Sequence, residues 1–186
     1  MRKLTMFNFV SLNGFFKGPK GDISWAHGDK ETDDYAIESA RSGGMLLFGR
    51  VTYELMAGFW PTPAAYQINQ ALAEEMNNAD KIVFSRTLHK ADWINTRIVK
   101  GNIIEEMKKI KQTPGKDMTL LGSGTIINQF AEAGLIDEYQ ILIHPVFLAE
   151  GTPIFHGITK SPNLRLASSR IFKSGKVLLC YEPAAK

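Results

Sequence analysis

The sequence predicts an α/β domain with a largely parallel sheet and an antiparallel hairpin at its C-terminal end. Three observations carry this prediction. Short apolar runs alternate with helix-period segments along most of the chain, as in strand–helix–strand crossovers. Met118 to Phe147 spells out one crossover: an apolar run, a glycine turn, an amphipathic segment and a second apolar run. Leu164 to Lys173 and Lys176 to Tyr181 then flank Ser174-Gly175, the pattern of a closing hairpin.

Each element has its own signal. Leu4 to Val10 opens as a strand, with Met6, Phe7, Phe9 and Val10 among its β-formers. From Ser11 to Asp29, Gly14, Gly18, Pro19, Gly21 and Gly28 argue against regular structure. A loop of that length in a compact domain is usually functional or mobile. Its rings, Phe15, Phe16 and Trp25, suit either a lid over a flat ligand or pins to the core. Thr32 to Ser42 suits a helix with Thr32 as N-cap, ended by Gly43-Gly44. Met45 to Phe48 is a short strand running into Gly49-Arg50-Val51-Thr52-Tyr53. Tyr53 to Met56 suits a helical turn, Phe59 to Pro63 breaks the chain, and Ala64 to Ala79 is helix-forming. Lys81 to Phe84 is a strand leading into Ser85-Arg86-Thr87, and Thr96 to Val99 is a shorter one. Asn102 to Lys111 follows as a helix with Ile103, Met107 and Ile110 on one face. In the crossover, Met118 to Leu121 is a buried strand, and Ile126, Ile127, Phe130 and Ala131 share a helix face. Gly134 stands at a helix C-cap position, and Tyr139 to His144 reads as a strand covered on both faces.

A chain of 186 residues fits one domain with a substantial core. Its 44% hydrophobic and 22% charged residues are ordinary for a soluble protein. The net charge of +3 is too small and too dispersed for a nucleic-acid surface, and suits an anionic small molecule. Cys180 is the only cysteine, which excludes an internal disulfide and fits a reducing cytoplasm. Met1-Arg2-Lys3-Leu4 starts like a signal peptide, but Asn8, Ser11 and Asn13 interrupt the apolar region. No apolar run approaches the ~18 residues of a membrane span. The expectation is a cytoplasmic protein without a membrane partner.

The chemistry concentrates at strand ends. Three apolar strands end in polar turns: Gly49-Arg50-Val51-Thr52, Ser85-Arg86-Thr87 and Gly122-Ser123-Gly124-Thr125. In open α/β sheets ligands lie beyond the carboxyl ends of the strands, so these turns are expected to converge. They offer backbone N–H groups, hydroxyls and two guanidinium groups, which together suit a dinucleotide with several phosphates. The competing reading leaves Arg50 and Arg86 on the surface and the glycines as simple turns. Standard fingerprints fail, because Ile127 stands where a Rossmann motif needs its third glycine. Gly175-Lys176 fails as a P-loop, with Arg170 upstream and Val177 downstream.

Metal and nucleophile chemistry find little support. His27, His89, His144 and His156 lie far apart, and none pairs with Cys180 or a carboxylate at ligand spacing, so no metal is expected. Cys180 sits in the apolar stretch Val177 to Tyr181 and reads as a core thiol. His144, before Pro145, is the most interesting histidine, though a structural role suits it better. Asp22, Asp29, Glu31, Asp33 and Asp34 lie near the aromatic loop. A buried member with a raised pKa would serve as proton donor or anchor. Equally, acidic residues simply favour a helix N-terminus.

Taken together, Ser11 to Phe16, Leu47 to Glu54, Lys81 to Leu88, Gly122-Ser123-Gly124, Gly134 to Glu138, Pro145 to Leu148 and Gly151 resemble the dihydrofolate reductase superfold. They more closely resemble the riboflavin-biosynthesis reductase (RibD C-terminal-like) family, in order from about Leu4 to Tyr181. The resemblance implies a three-layer αβα domain with a mixed, mostly parallel sheet, which binds NADPH. By it, Gly49, Arg50 and Thr52 hold the pyrophosphate, and Ser85, Arg86 and Thr87 the 2′-phosphate. Gly122, Ser123, Gly124 and Thr125 complete the cradle, while Leu12 and Phe16 lie against the nicotinamide. Trp25, Tyr53 and Trp60 then shape the substrate side, with Asp33 and Asp34 as candidate proton donors beside bound water.

The implied activity is hydride transfer to a small heterocyclic or sugar-linked substrate, of the 5-amino-6-(5-phosphoribosylamino)uracil reductase type. Dihydrofolate reduction and non-catalytic NADP sensing are the alternatives, and a homodimer is the implied assembly. Two departures bear on the substrate. Several acids compete for the pterin-anchoring position after Trp25, and no H-x-E or P-C-x-x-C segment supplies the zinc deaminase often fused to the riboflavin enzyme.

Overall fold

In the computed structural model, which describes residues 1–41 and 44–184, the apolar runs of the sequence become the strands of one sheet. The elements are β1 (Leu4–Ser11), β2 (Phe15–Lys17), α1 (Lys30–Arg41), β3 (Met45–Gly49), α2 (Arg50–Ala57) and α3 (Pro63–Asn78). They continue with β4 (Lys81–Phe84), β5 (Thr96–Val99), α4 (Ile103–Gln112), β6 (Met118–Leu121) and α5 (Gly124–Glu132). β7 (Glu138–His144), β8 (Thr152–Pro153), β9 (Leu164–Ile171) and β10 (Val177–Pro183) complete the chain. The 8-stranded sheet has the order β5-β4-β3-β6-β1-β7-β10-β9. From β5 to β7 all pairings are parallel, whereas β10 runs antiparallel to β7 and to β9. The mixed, mostly parallel sheet with a C-terminal hairpin is the architecture the sequence predicts.

Period-two alternation divides the sheet faces. Leu4, Met6 and Val10 of β1 point to one side, where Leu47, Ile82 and Leu120 join them against Met107, Ile110, Ile127 and Phe130 of α4 and α5. On the other side, Phe48 and Val83 pack with Tyr53, Met76 and Trp93. Farther along that face, Leu142, Leu178, Cys180 and Phe172 pack with Phe7, Phe9 and Tyr35. Helices thus cover both faces, giving the three-layer domain. Between the second and third clusters, over β6 and β1, the sheet borders a cleft.

Several boundaries differ from expectation. Helix α1 begins at Lys30, so Thr32 lies inside it and is not the N-cap. Asp29 takes that place: its Oδ1 accepts the Thr32 N–H at 3.0 Å, and Thr32 Oγ1 accepts the Asp29 N–H at 3.0 Å, a reciprocal capping box. The expected end of this helix at Ser42 and Gly43 lies outside the described residues. Helix α2 starts three residues earlier than expected, directly at the end of β3. The aromatic loop is not wholly irregular, since β2 pairs with β8. In α3, Asn69 leaves helical geometry (φ −155°), and its Oδ1 accepts the Leu72 N–H at 3.0 Å, capping the second half. The expected stop of α5 forms as a Schellman motif. Gly134 has φ +65°, its N–H reaches Ala131 O at 3.0 Å, and the Leu135 N–H reaches Phe130 O at 2.9 Å. Among the described residues no helix is long and apolar enough to cross a membrane.

Candidate functional site

β3 and β6 are neighbours in the sheet; β3 passes directly into α2, and β6 passes into α5 through the two-residue turn Gly122-Ser123. The N-termini of α2 and α5 therefore open side by side at the carboxyl edge. Their turns are laced together. The Gly49 N–H donates to Ser123 Oγ at 2.8 Å, and the Ser123 N–H donates to Thr52 Oγ1 at 3.0 Å. The Ser123 hydroxyl in turn donates to Leu121 O at 2.9 Å. Asn8 Nδ2 holds the Gly122 carbonyl at 3.3 Å from below. Neither helix has a side-chain cap, and although the Ile126 N–H is bonded to Ser123 O at 2.8 Å, the N–H groups of Arg50, Val51, Gly124 and Thr125 remain available to an anion.

These turns form one end of a cleft of about 550 Å³. Gly49, Arg50, Thr52, Gly122, Ser123, Gly124 and Thr125 all line it, as does Phe16, whose ring lies against Gly124. Arg50 is shared with Glu54, which it meets at 3.0 and 2.8 Å. Ser85, Arg86 and Thr87 stand apart from the cleft wall, at the end of β4 beside Gly49 in register. Ser85 Oγ accepts the N–H groups of Thr87 (3.2 Å) and Leu88 (2.9 Å), shaping a local turn that leaves Arg86 and Thr87 exposed. Leu12 is also off the wall: it is exposed, and its N–H is bonded to Val146 O at 2.9 Å.

The residues expected on the substrate side separate. Trp60 lines the cleft. Tyr53 does not; it is buried against Phe48, and its hydroxyl accepts the Trp93 N–H at 3.1 Å. Trp25 is also off the wall, edge-on to His144 at 5.5 Å. Neither Asp33 nor Asp34 borders the cleft. Asp34 is exposed and paired with Lys30 at 2.8 Å. Asp33 is half-buried near Asn69, where burial and then the Asp29 charge push its carboxyl up. The wall residues that sequence reasoning missed lie on α1 and α3, including Tyr35, Ala36, Leu72 and Met76. Among the described residues no cluster of His, Cys, Asp or Glu is built to hold a metal.

A buried polar group lies beside the cleft, at the ends of β1 and β7. Lys176, 3% exposed, pairs with Asp29 and donates to His27 O at 2.8 Å. The bond from Lys176 holds the Asp29 carboxyl far below the usual range, despite the opposing effect of burial. His144, also 3% exposed, stacks edge-on to Phe9 at 5.5 Å, and its Nε2 has no partner among the described residues. Burial, then the charges of Lys176 and His27, draw its pKa from 6.5 to about 4. The folded state thus keeps His144 neutral where the unfolded chain binds a proton. Stability is full above pH 6.5 and falls as the pH drops toward 4, by about 3 kcal/mol in all. Urea midpoints measured from pH 7 to 4.5 should show this slope. His144→Phe, which keeps the ring contacts, should flatten it, and an unchanged slope would exclude His144 as its source.

Sheet order, the helices on both faces and the paired helix N-termini at one cleft define a dihydrofolate reductase-like α/β domain. Its TM-score is 0.65 with the dihydrofolate reductase of Enterococcus faecalis complexed with NADP(H), at 15% identity over 98% of this chain and 97% of that one. Residues 2–178 match the RibD C-terminal domain, and the chain belongs to that family. A second structural likeness is the diaminohydroxyphosphoribosylaminopyrimidine deaminase/5-amino-6-(5-phosphoribosylamino)uracil reductase of Thermotoga maritima. That TM-score is 0.70 at 13% identity, over 98% of this chain and 57% of that one. In sequence, the chain is 33% identical to the uncharacterized protein YyaP of Bacillus subtilis (strain 168), over 97% of this chain and 94% of that protein.

Proposed function

We propose that this protein is an NADPH-dependent reductase acting on a small organic acceptor. The observation that carries the reading is the pair of uncapped helix N-termini, α2 and α5, cross-bonded through Ser123 and Thr52 and opening on one cleft. Two aligned sets of backbone N–H groups suit a pyrophosphate. In this reading Gly49, Arg50, Thr52 and Gly122 to Thr125 hold it, while Phe16 borders the reactive ring. Ser85, Arg86 and Thr87 meet the 2′-phosphate. Arg86 is exposed and unpaired among the described residues, so its guanidinium is free for that contact. When bound, NADPH supplies the hydride; the protein positions it and limits water. Asp33 and Asp34 lie off the cleft wall, which favours water as the proton source over either carboxylate. Dihydrofolate is disfavoured as substrate, because Asp29, the first acid after Trp25, is committed to Lys176 and the α1 cap.

Calorimetric titration with NADPH and NADH tests the assignment. NADPH should bind more tightly, and Arg86→Ala should weaken NADPH by about 1–3 kcal/mol while leaving NADH unchanged. Equal affinity for the two cofactors, or an unaffected Arg86→Ala variant, would remove Ser85–Thr87 from the site.

A further inference from the structure

The cleft has two unlike halves. At the glycine-turn end it meets backbone N–H groups, Lys17 and Arg50. The other half runs beneath α1 and α3, along β6 and β1, and is walled by Phe7, Phe9, Tyr35, Leu46, Leu72 and Met76. We propose that this second half takes a neutral, flat, apolar acceptor and not a phosphorylated, sugar-linked pyrimidine. The proposal rests on the NADPH reading of the first half.

Charge placement decides between the two chemistries. Among the described lining residues, the lysine and the arginine, Lys17 and Arg50, belong to the glycine-turn end, and the histidine, His156, is tied to α5 through Asn128. Lys17 lies over the Phe16 ring at 5.4 Å, and Arg50 is occupied by Glu54. The charged residue that lines the second half is Glu75, paired with Arg41 at 3.7 Å, so the described lining of this half offers a phosphate no free cation. The helix N-termini do not compensate. Leu46 lies three residues up β3 from Gly49, roughly 10 Å away at about 3.3 Å per residue, and the field of a helix end fades within about one turn. A phosphate ester there would lose its hydration without gaining a cationic partner. The hydroxyl of Tyr35 is turned to Gln140 Oε1 at 3.2 Å, and its ring is backed by Phe172 at 6.2 Å and by Arg170 at 5.7 Å, neither of which lines the cleft, so Tyr35 brings aromatic surface to the wall. Aromatic walls with few polar groups recognise flat apolar molecules by burial and ring contacts.

The uncharged naphthalene N-phenyl-1-naphthylamine, fluorescent only in apolar surroundings, serves as probe. It is titrated into the full chain with and without saturating NADP⁺, and NADPH affinity is measured separately by calorimetry. The expected result is saturable, blue-shifted fluorescence that 5-amino-6-(5-phosphoribosylamino)uracil does not displace at millimolar concentration. Ala36→Phe, which fills the wall from α1, should weaken the probe at least tenfold and leave NADPH affinity unchanged. Absence of saturable fluorescence, indifference to Ala36→Phe, or displacement by the phosphorylated pyrimidine at micromolar concentration would overturn the proposal. Failure of NADPH to bind would sink the cofactor reading alone, since the probe titration still reports the character of the second half.

Discussion

Lys176→Met should cost about 2–4 kcal/mol of stability, seen as a lower urea midpoint at pH 7. The ammonium is 3% exposed and is held by Asp29 and the His27 carbonyl. Methionine keeps all but the terminal atom of its length and leaves no large void, so the loss is chiefly electrostatic. What remains is a carboxylate with its side chain 30% exposed and no cation beside it, which is why the expected cost sits below that of a fully buried pair. The same carboxylate caps α1, and Lys176 directly precedes β10, so the pair fastens the end of the aromatic loop to the C-terminal hairpin. A second substitution separates the causes. Asp29→Asn keeps a good N-cap and removes the stranded charge, so the double variant should recover more than half of the single variant's loss. A double variant as unstable as the sum of its parts would show that the pair contributes through packing instead.

The residues that were legible in the sequence are those whose roles are local. A β-strand that runs into glycine and then into helix-period residues specifies its own turn, and both Gly49–Thr52 and Gly122–Thr125 line one cleft as their strand-end positions predicted. Tyr53 departs from the substrate-side expectation because α2 begins at Arg50. Thr52 and Tyr53 are then consecutive in a helix, about 100° apart, so Thr52 turns to Ser123 while Tyr53 turns to Phe48 and Trp93. Asp33 and Asp34 were two of several acids near the aromatic loop, with nothing local to separate them; in the fold Asp34 turns to Lys30 and neither reaches the cleft wall. The α1 and α3 walls had no local signature, since Ala36, Leu72 and Met76 become a wall only when long-range packing brings two helices over β6. Lys176 was legible in principle: a lysine heading a run as apolar as Val177 to Tyr181 is out of place on a solvent face.

Gly122→Ala should reduce NADPH affinity at least a hundredfold and lower stability by about 2–4 kcal/mol. Two physical effects coincide at this position. Its φ of +56° lies in the left-handed region, where a side chain costs about 1–2 kcal/mol. A Cβ would also stand 2.9 Å from both Cγ2 and Oγ1 of Thr52, closer than real contacts allow. Thr52 has no freedom to yield, because its Oγ1 accepts the Ser123 N–H at 3.0 Å. Moving it breaks that bond and parts the α5 turn from α2. Gly14 supplies the control: its φ is +84°, but nothing lies within 4 Å of a Cβ there. Gly14→Ala therefore carries the backbone cost without the collision, and the difference between the two variants isolates the close approach. If Gly122→Ala binds NADPH as the parent does, the two helix ends do not form the phosphate site. If it loses binding while Gly14→Ala keeps it, the spacing of α2 and α5, set by one missing methyl group, is what the cofactor requires.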